Sequence, residues 1–244
     1  MSSVAARRLA FATLETLDRY AERILACPPR LAREGGVHLL AARERGLPAW
    51  HGFTLPLVGL TFPEGAVLAC RPDLVERLSI EMGSDVRLPN LDAAAMRRVL
   101  RAARRLLPHA FTLTGDLRAV DAAAFVSSPK APRAELIPRD DAAALHLRTR
   151  FDGEVFGVRG PRQRVISWAA LKLKSDAVWE IAVATEADYR GRGFARDVVS
   201  AAAAYALDHG RIPIYVHDRD NSTSAFVARA LGFQIYAEIV LAEF

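Results

Sequence analysis

A chain of 244 residues that is 51% apolar has enough material to bury one large core or two modest ones, which excludes a disordered chain. No window nears the roughly 20 continuous apolar residues of a spanning helix, so no membrane partner is expected and the cytoplasm is the expected compartment. The net charge of +5 suits a polyanionic ligand, but the basic residues, all but three of them arginine, are scattered among acidic ones, so no nucleic-acid partner is expected.

Residues 1 to about 50 read mainly as helices. Glu15, Asp18 and Glu22 interrupt the apolar residues that follow Arg7 and Arg8, giving an amphipathic helix rather than a leader. Cys27-Pro28-Pro29 and Gly35-Gly36 act as stops. Cys27 and Cys70 stand alone with no metal spacing, as in a reducing compartment. Up to about residue 126, apolar runs at Leu55 to Phe62 and Ala66 to Cys70 alternate with helical patterns at Pro72 to Met82 and Leu91 to Leu107, a mixed α/β layer. Within the second helical pattern, Arg97, Arg98, Arg101, Arg104 and Arg105 form either a solvated face or an anion patch.

Ser127-Ser128-Pro129-Lys130-Ala131-Pro132-Arg133 has the composition of a linker. The expected organisation is an N-terminal mixed α/β domain over 1–126, a linker over 127–133 and a second domain over 134–244. In the second domain, Ala134 to Ile137 reads as a strand, and Asp140-Asp141 opens a helix reaching about Arg150. Glu154 to Val158 and Arg164 to Lys174 read as a hairpin about Gly160-Pro161, and Val178 to Thr185 as the next strand. A glycine-bearing loop then enters a helix from about Gly193 to His209, with Gly210 past its end. Strand Ile212 to Val216, helix Ser222 to Ala230, and strands around Phe233 to Tyr236 and Glu238 to Leu241 complete an α/β (α+β) chain.

A strand running into a glycine loop and a helix N-terminus converges backbone N–H groups and the positive end of the helix dipole, an anion site on physical grounds. Gly191 and Gly193 let the main chain approach a phosphate, and Arg190 and Arg192 add charge. The loop lacks the Gly-Lys-Ser/Thr of nucleotide-hydrolysing loops and the third glycine and strand-end acid of a dinucleotide fold. His51, His109, His146 and His217 show no ligand spacing, so no metal is expected. Trp50, Trp168 and Trp179 suit either core packing or an acceptor pocket.

Arg190-Gly191-Arg192-Gly193-Phe194-Ala195 resembles the Arg/Gln-x-x-Gly-x-Gly/Ala signature of the GCN5-related N-acetyltransferase (GNAT) family, and Asn221 with Gly232-Phe233 resembles its Asn-x10-Gly-Phe pattern. The resemblance covers about residues 130–244 and implies a mixed, mostly antiparallel sheet with flanking helices. It also implies acetyl-CoA as cosubstrate, held by the loop (Arg190, Gly191, Arg192, Gly193, Phe194, Ala195), by Asn221 and by the backbone of Ile181, Ala182 and Val183, where the fourth and fifth strands splay apart. Pro213 in the fifth strand fits such a splay.

The activity implied is transfer of an acetyl or short acyl group to an amine acceptor, with residues 1–126 shaping the acceptor site; a homodimer is compatible with it. An ammonium with a pKa of about 10 has no lone pair, so a base is needed, and Glu180 is the candidate. The backbone N–H of Val183 is the candidate oxyanion donor. The tyrosine that relatives use as general acid is replaced by Ala228, with Tyr215 and Tyr236 as stand-ins. That departure leaves a non-catalytic acyl-CoA-binding module as the alternative.

Overall fold

The computed structural model describes residues 9–48, 53–82, 93–130 and 133–244. Arg7, Arg8, Trp50, His51, Leu91 and the Ala131-Pro132 pair lie outside the described residues, as does the side chain of Arg97. The fold is mixed α/β with mostly antiparallel strands and flanking helices, the class the sequence predicts.

Two compact units are present, and they are not the sequential halves 1–126 and 134–244. One comprises 1–16, 118–217 and 221–235; the other comprises 17–117, 218–220 and 236–244. The reason for the N-terminal exchange is visible at Asp121, which is buried. Its Oδ2 accepts from the Ala10 backbone N–H (2.8 Å) and the Thr13 hydroxyl (3.3 Å), and its Oδ1 accepts from the Ala124 N–H (2.9 Å). A side chain more than a hundred residues away thus satisfies orphan donors at the start of α1 (Phe11–Leu25).

The unit built around residues 17–117 carries α2 (Arg30–Arg33), β1 (Gly36–Ala41), β2 (Leu57–Thr61), β3 (Gly65–Cys70), α3 (Val75–Met82), α4 (Ala93–Leu106) and most of β4 (Phe111–Ala119). β3 pairs in parallel with β1 and antiparallel with β2, and β2 pairs with the C-terminal strand β10 (Gln234–Glu243) from Thr61↔Glu238 to Leu57↔Ala242. Every residue of β2 and β3 is buried, as their unbroken apolar runs require of strands covered on both faces. Leu57 and Leu68 of the strands pack with Leu74, Leu78, Val99, Ala102 and Ala103 from the helical side. Burial pushes the Cys70 thiol up to about 11. On α4, Arg101, Arg104 and Arg105 are exposed, whereas Val99, Ala102 and Ala103 are buried. Arg105 pairs with Glu81 (2.9 Å) and Arg104 donates to the Thr112 hydroxyl (3.0 Å), so the basic face is tied to its own unit.

The other unit carries β5 (Glu135–Leu136), α5 (Leu145–Arg148), β6 (Val155–Arg159), β7 (Val165–Leu173), β8 (Val178–Thr185), α6 (Phe194–Asp208), β9 (Ile212–Asp218, whose last residue belongs to the unit built around 17–117) and α7 (Ser222–Ala230). Strand order is β9-β8-β7-β6-β5. Side chains alternate across β7 with the period of a strand: Ala169 and Leu171 join Ile181, Val198, Val199 and Ala202 on the α6 face, whereas Trp168 and Ala170 join Leu147, Phe151 and Val155 on the other.

Several expectations are corrected. Gly36–Ala41 is a strand, not part of a helical zone, and β4 is an additional strand. The helix expected from Asp140 to Arg150 shrinks to Leu145–Arg148, because Asp141 turns its Oδ1 onto the Ala143 N–H (2.8 Å) and spends its other oxygen on Arg159 (2.5 Å). The two strands expected at the C-terminus are one, running through the buried Ala237.

Candidate functional site

β8 pairs with β7 along all but its first residue, from Leu173↔Trp179 to Ser167↔Thr185. With β9 it pairs, in parallel, only at Val178↔Ile212, Trp179↔Pro213 and Glu180↔Ile214. Beyond Glu180 the two strands diverge. Pro213 sits within the short paired stretch, and its carbonyl accepts from the Val120 N–H (3.3 Å). Past it, a cavity of about 640 Å³ is lined by Val183, Ala184 and Thr185 of β8, Tyr215 of β9, the loop and first turn leading into α6, and the first turns of α7.

The loop takes its form from two residues at positive φ, Gly191 (+75°) and Gly193 (+83°), values that cost an L side chain strain. Gly193 is the N-cap of α6 and its carbonyl accepts from the Asp197 N–H (3.2 Å), so the first amides of the helix face the cavity mouth. Arg190 folds back to donate from Nε to the Thr185 carbonyl (3.1 Å), and Arg192 lies over the Tyr189 ring (5.5 Å). Asn221 caps α7 by accepting from the Ser224 N–H (3.0 Å) and also lines the cavity.

Of the residues singled out from sequence, Val183, Arg190, Gly191, Gly193, Phe194, Ala195 and Asn221 line the cavity. Arg192 does not; it is exposed beside Tyr189. Ile181 packs into the core on the α6 face, and the Ala182 side chain packs on the opposite face. Gly232 has a packing task, described below. Among the residues that sequence reasoning missed is Arg196, in the first turn of α6. It lines the cavity, and its Nε is buried with no hydrogen-bond partner among the described residues. A cation in the first turn opposes the helix dipole, and that misplacement is the signal in the sequence that marks it. An orphaned guanidinium N–H, two glycines at positive φ and free helix N–H groups fit the pyrophosphate of a coenzyme A.

Glu180 stands apart from the cavity lining. Its side chain, 12% exposed, lies between Lys172 Nζ (2.7 Å) and Lys174 Nζ (3.1 Å). Burial pushes its carboxyl up, but the charges and hydrogen bonds of Lys174 and Lys172 outweigh burial and bring it down to about 2. Tyr215 is 2% exposed, and its hydroxyl donates to Ser224 Oγ (3.3 Å) on the cavity wall; burial raises its phenol. Tyr236 is elsewhere: its hydroxyl donates to Asp18 Oδ1 (2.6 Å), and burial and that carboxylate raise it. Ala228 is fully buried among Tyr215, Val227 and Phe233. Trp168 packs on Phe151 (5.6 Å) and Trp179 stacks on Tyr205 (6.3 Å), neither at the cavity. His217 is buried, its Nε2 accepting from Arg118 Nε (3.0 Å). Among the described residues no group of three His, Cys, Asp or Glu could hold a metal ion, and no helix is long and apolar enough to cross a membrane.

Solved structures similar to this chain include a GNAT-family protein of Novosphingobium aromaticivorans (18% identity, 55% of this chain and 65% of that one, TM-score 0.46) and a GCN5-related N-acetyltransferase from Kribbella flavida (16%, 62% and 72%, 0.43). A Salmonella typhimurium protein solved with its cofactor acetyl-CoA is also similar (15%, 42% and 69%, 0.34). The chain spans just under two thirds of the length of the first of these. No curated protein matches it. The family model described as Acetyltransferase (GNAT) domain matches residues 99–234, starting within α4, upstream of the stretch that carries the motifs. That match takes in more than half of the chain and both motif segments, and the chain belongs to the GNAT acetyltransferase family.

Proposed function

We propose that this chain transfers an acetyl or other short acyl group from acetyl-CoA to an amine acceptor by direct attack. The observation that carries the reading is the parting of β8 and β9 after Glu180↔Ile214, next to a cavity that ends on the loop 190–195 and Arg196. An extended pantetheine arm matches the unpaired edge of β8, and a pyrophosphate matches the helix amides and the orphaned Arg196 Nε.

In this reading the amine nitrogen attacks the thioester carbonyl, the Val183 N–H stabilises the oxyanion, and the C–S bond breaks as the amide forms. The amine's proton must leave. Glu180 stands at the last paired rung, outside the cavity lining, and acts on that proton through an intervening water. A carboxylate held at about 2 by Lys174 and Lys172 is a weak base, so the proton passes through that water to solvent instead of resting on Glu180. The departing thiolate, with a pKa of about 8.5, takes a proton from Tyr215, which burial keeps protonated and which lines the cavity where Ala228 offers no donor.

The alternative, a module that binds acyl-CoA without turnover, is favoured by Ala228 and by the ion-paired state of Glu180. Calorimetric binding of CoA combined with thiol release from acetyl-CoA across an amine panel separates the two. Binding with turnover on at least one amine is the expected result. Binding without turnover on any amine supports the alternative, and absence of CoA binding rejects both.

A further inference from the structure

Ser128 and Arg133, from a stretch with the composition of a tether, bond into the base of the phosphate loop. Asp197, in the first turn of α6, is fully buried. Its Oδ1 accepts from the Ser128 hydroxyl (2.6 Å), and its Oδ2 accepts from Arg133 through Nε (3.0 Å) and Nη2. The Ser128 N–H donates to Ser200 Oγ (2.9 Å), one helical turn further along α6. Above the ion pair, the Arg133 guanidinium lies over the Phe194 ring (4.8 Å), and its Nη2 is 3.8 Å from where a Cβ on Gly193 would stand. Gly193 and Phe194 both line the cavity.

A carboxylate buried four residues past the loop's second glycine would repel any phosphate brought to the helix N-terminus, and the low dielectric around it would make that repulsion strong. Arg133 removes the conflict. It cancels the charge of Asp197, and its stacking on Phe194 holds the turn at Gly193 in the form that presents the helix amides.

We propose that Arg133 is a positioning residue for cofactor binding: as counter-ion to Asp197 beneath the loop, it makes the helix N-terminus receptive to the pyrophosphate of an acyl-CoA. The proposal rests on the acyl-CoA reading. Arg133 is then part of the binding site, and binding of the phosphates depends on its staying paired with Asp197.

The test is calorimetric titration of the full chain with CoA, for wild type, Arg133→Met, Asp197→Asn and the double variant. The same proteins are titrated with S-acetylpantetheine, which carries no phosphate. Arg133→Met should weaken CoA about tenfold, as expected for an uncompensated buried charge close to the ligand. The double variant should return to within about threefold of wild type, and Asp197→Asn should bind CoA at least as tightly as wild type. S-acetylpantetheine should bind all four alike. If Arg133→Met does not fold, Asp197→Asn against the double variant reads the same charge, with tighter CoA binding expected for the single variant.

Unchanged CoA affinity in Arg133→Met, or a double variant no better than Arg133→Met, overturns the counter-ion role. Equal losses for CoA and S-acetylpantetheine overturn it too, since a general disturbance of the cavity would produce them. A wild type that binds no CoA overturns the acyl-CoA reading itself, and this proposal with it.

Discussion

A Cβ placed on Gly232 would stand 2.1 Å from the carbonyl oxygen of Ala124, and the backbone there has a φ of +86°. The glycine after α7 therefore does two things at once: it ends the helix in a left-handed turn, and it lets that turn lie against the backbone of 124–125. Replacing it with alanine should cost roughly 3 kcal/mol, part from the left-handed conformation and part from the displaced contact. A denaturant melt checks this, and an unchanged midpoint would show that the turn yields easily.

Arg196→Ala should weaken CoA binding about tenfold, the loss of a charge-assisted contact to phosphate. Its effect on stability should be small or favourable, because a cation in the first turn of α6 works against the helix dipole by roughly 0.3–1 kcal/mol. Calorimetry and a thermal melt on one preparation give both signs. A variant that loses stability and keeps its CoA affinity would assign Arg196 to the fold instead.

Glu180 makes stability depend on acid. Its folded pKa of about 2 lies below the ordinary glutamate value of 4.5, so the folded state holds the carboxylate more firmly than the unfolded chain does. The contribution is fully present above about pH 4.5 and disappears as pH falls toward 2; its size is roughly 3 kcal/mol. Glu180→Gln should flatten the stability profile in that window and lower stability at neutral pH, since Lys172 and Lys174 lose a shared counter-charge. Parallel wild-type and variant curves between pH 2 and 5 would contradict this.

Tyr215→Phe removes one hydroxyl and leaves the ring against Phe233 in place. If the phenol protonates the leaving thiolate, kcat should fall about a hundredfold or more, the usual range for a general acid, while CoA affinity stays within about twofold of wild type. A matched loss in affinity, with kcat intact, would make the hydroxyl a cavity-wall group bonded to Ser224.

The elements that form the cavity were the most legible in the sequence. β8 and α7 have the bounds their apolar patterns predict, and α6 begins one residue after Gly193 and ends two before Gly210. These segments carry local signals: strict periodicity, an Asn N-cap, a glycine at each end of α6. What was not legible depends on distant partners. β1 is a short run of apolar residues that becomes a strand only by lying along β3. Asp121 looks like any loop acid until Ala10 and Thr13 arrive on it. The same holds at the site. Gly191, Gly193 and Asn221 could be picked out by motif, but the two lysines that neutralise Glu180 come from β7 and the residues just after it. Their effect on its basicity is a cross-strand property.

Two strands that pair over three rungs and then part leave a sheet with an open edge in its interior instead of at its rim. An edge at the rim invites any passing strand, and proteins must guard it with charge or bulges. Here the flanking walls do the guarding: Phe194 and Ala195 from one helix and Thr223, Ser224 and Val227 from the other leave a slot beside Val183. On the acyl-CoA reading, that slot takes a slender amide chain in place of a polypeptide strand, which carries side chains on both faces. On that reading, the geometry that would admit a ligand to the backbone of β8 also shields that backbone from other copies of the protein.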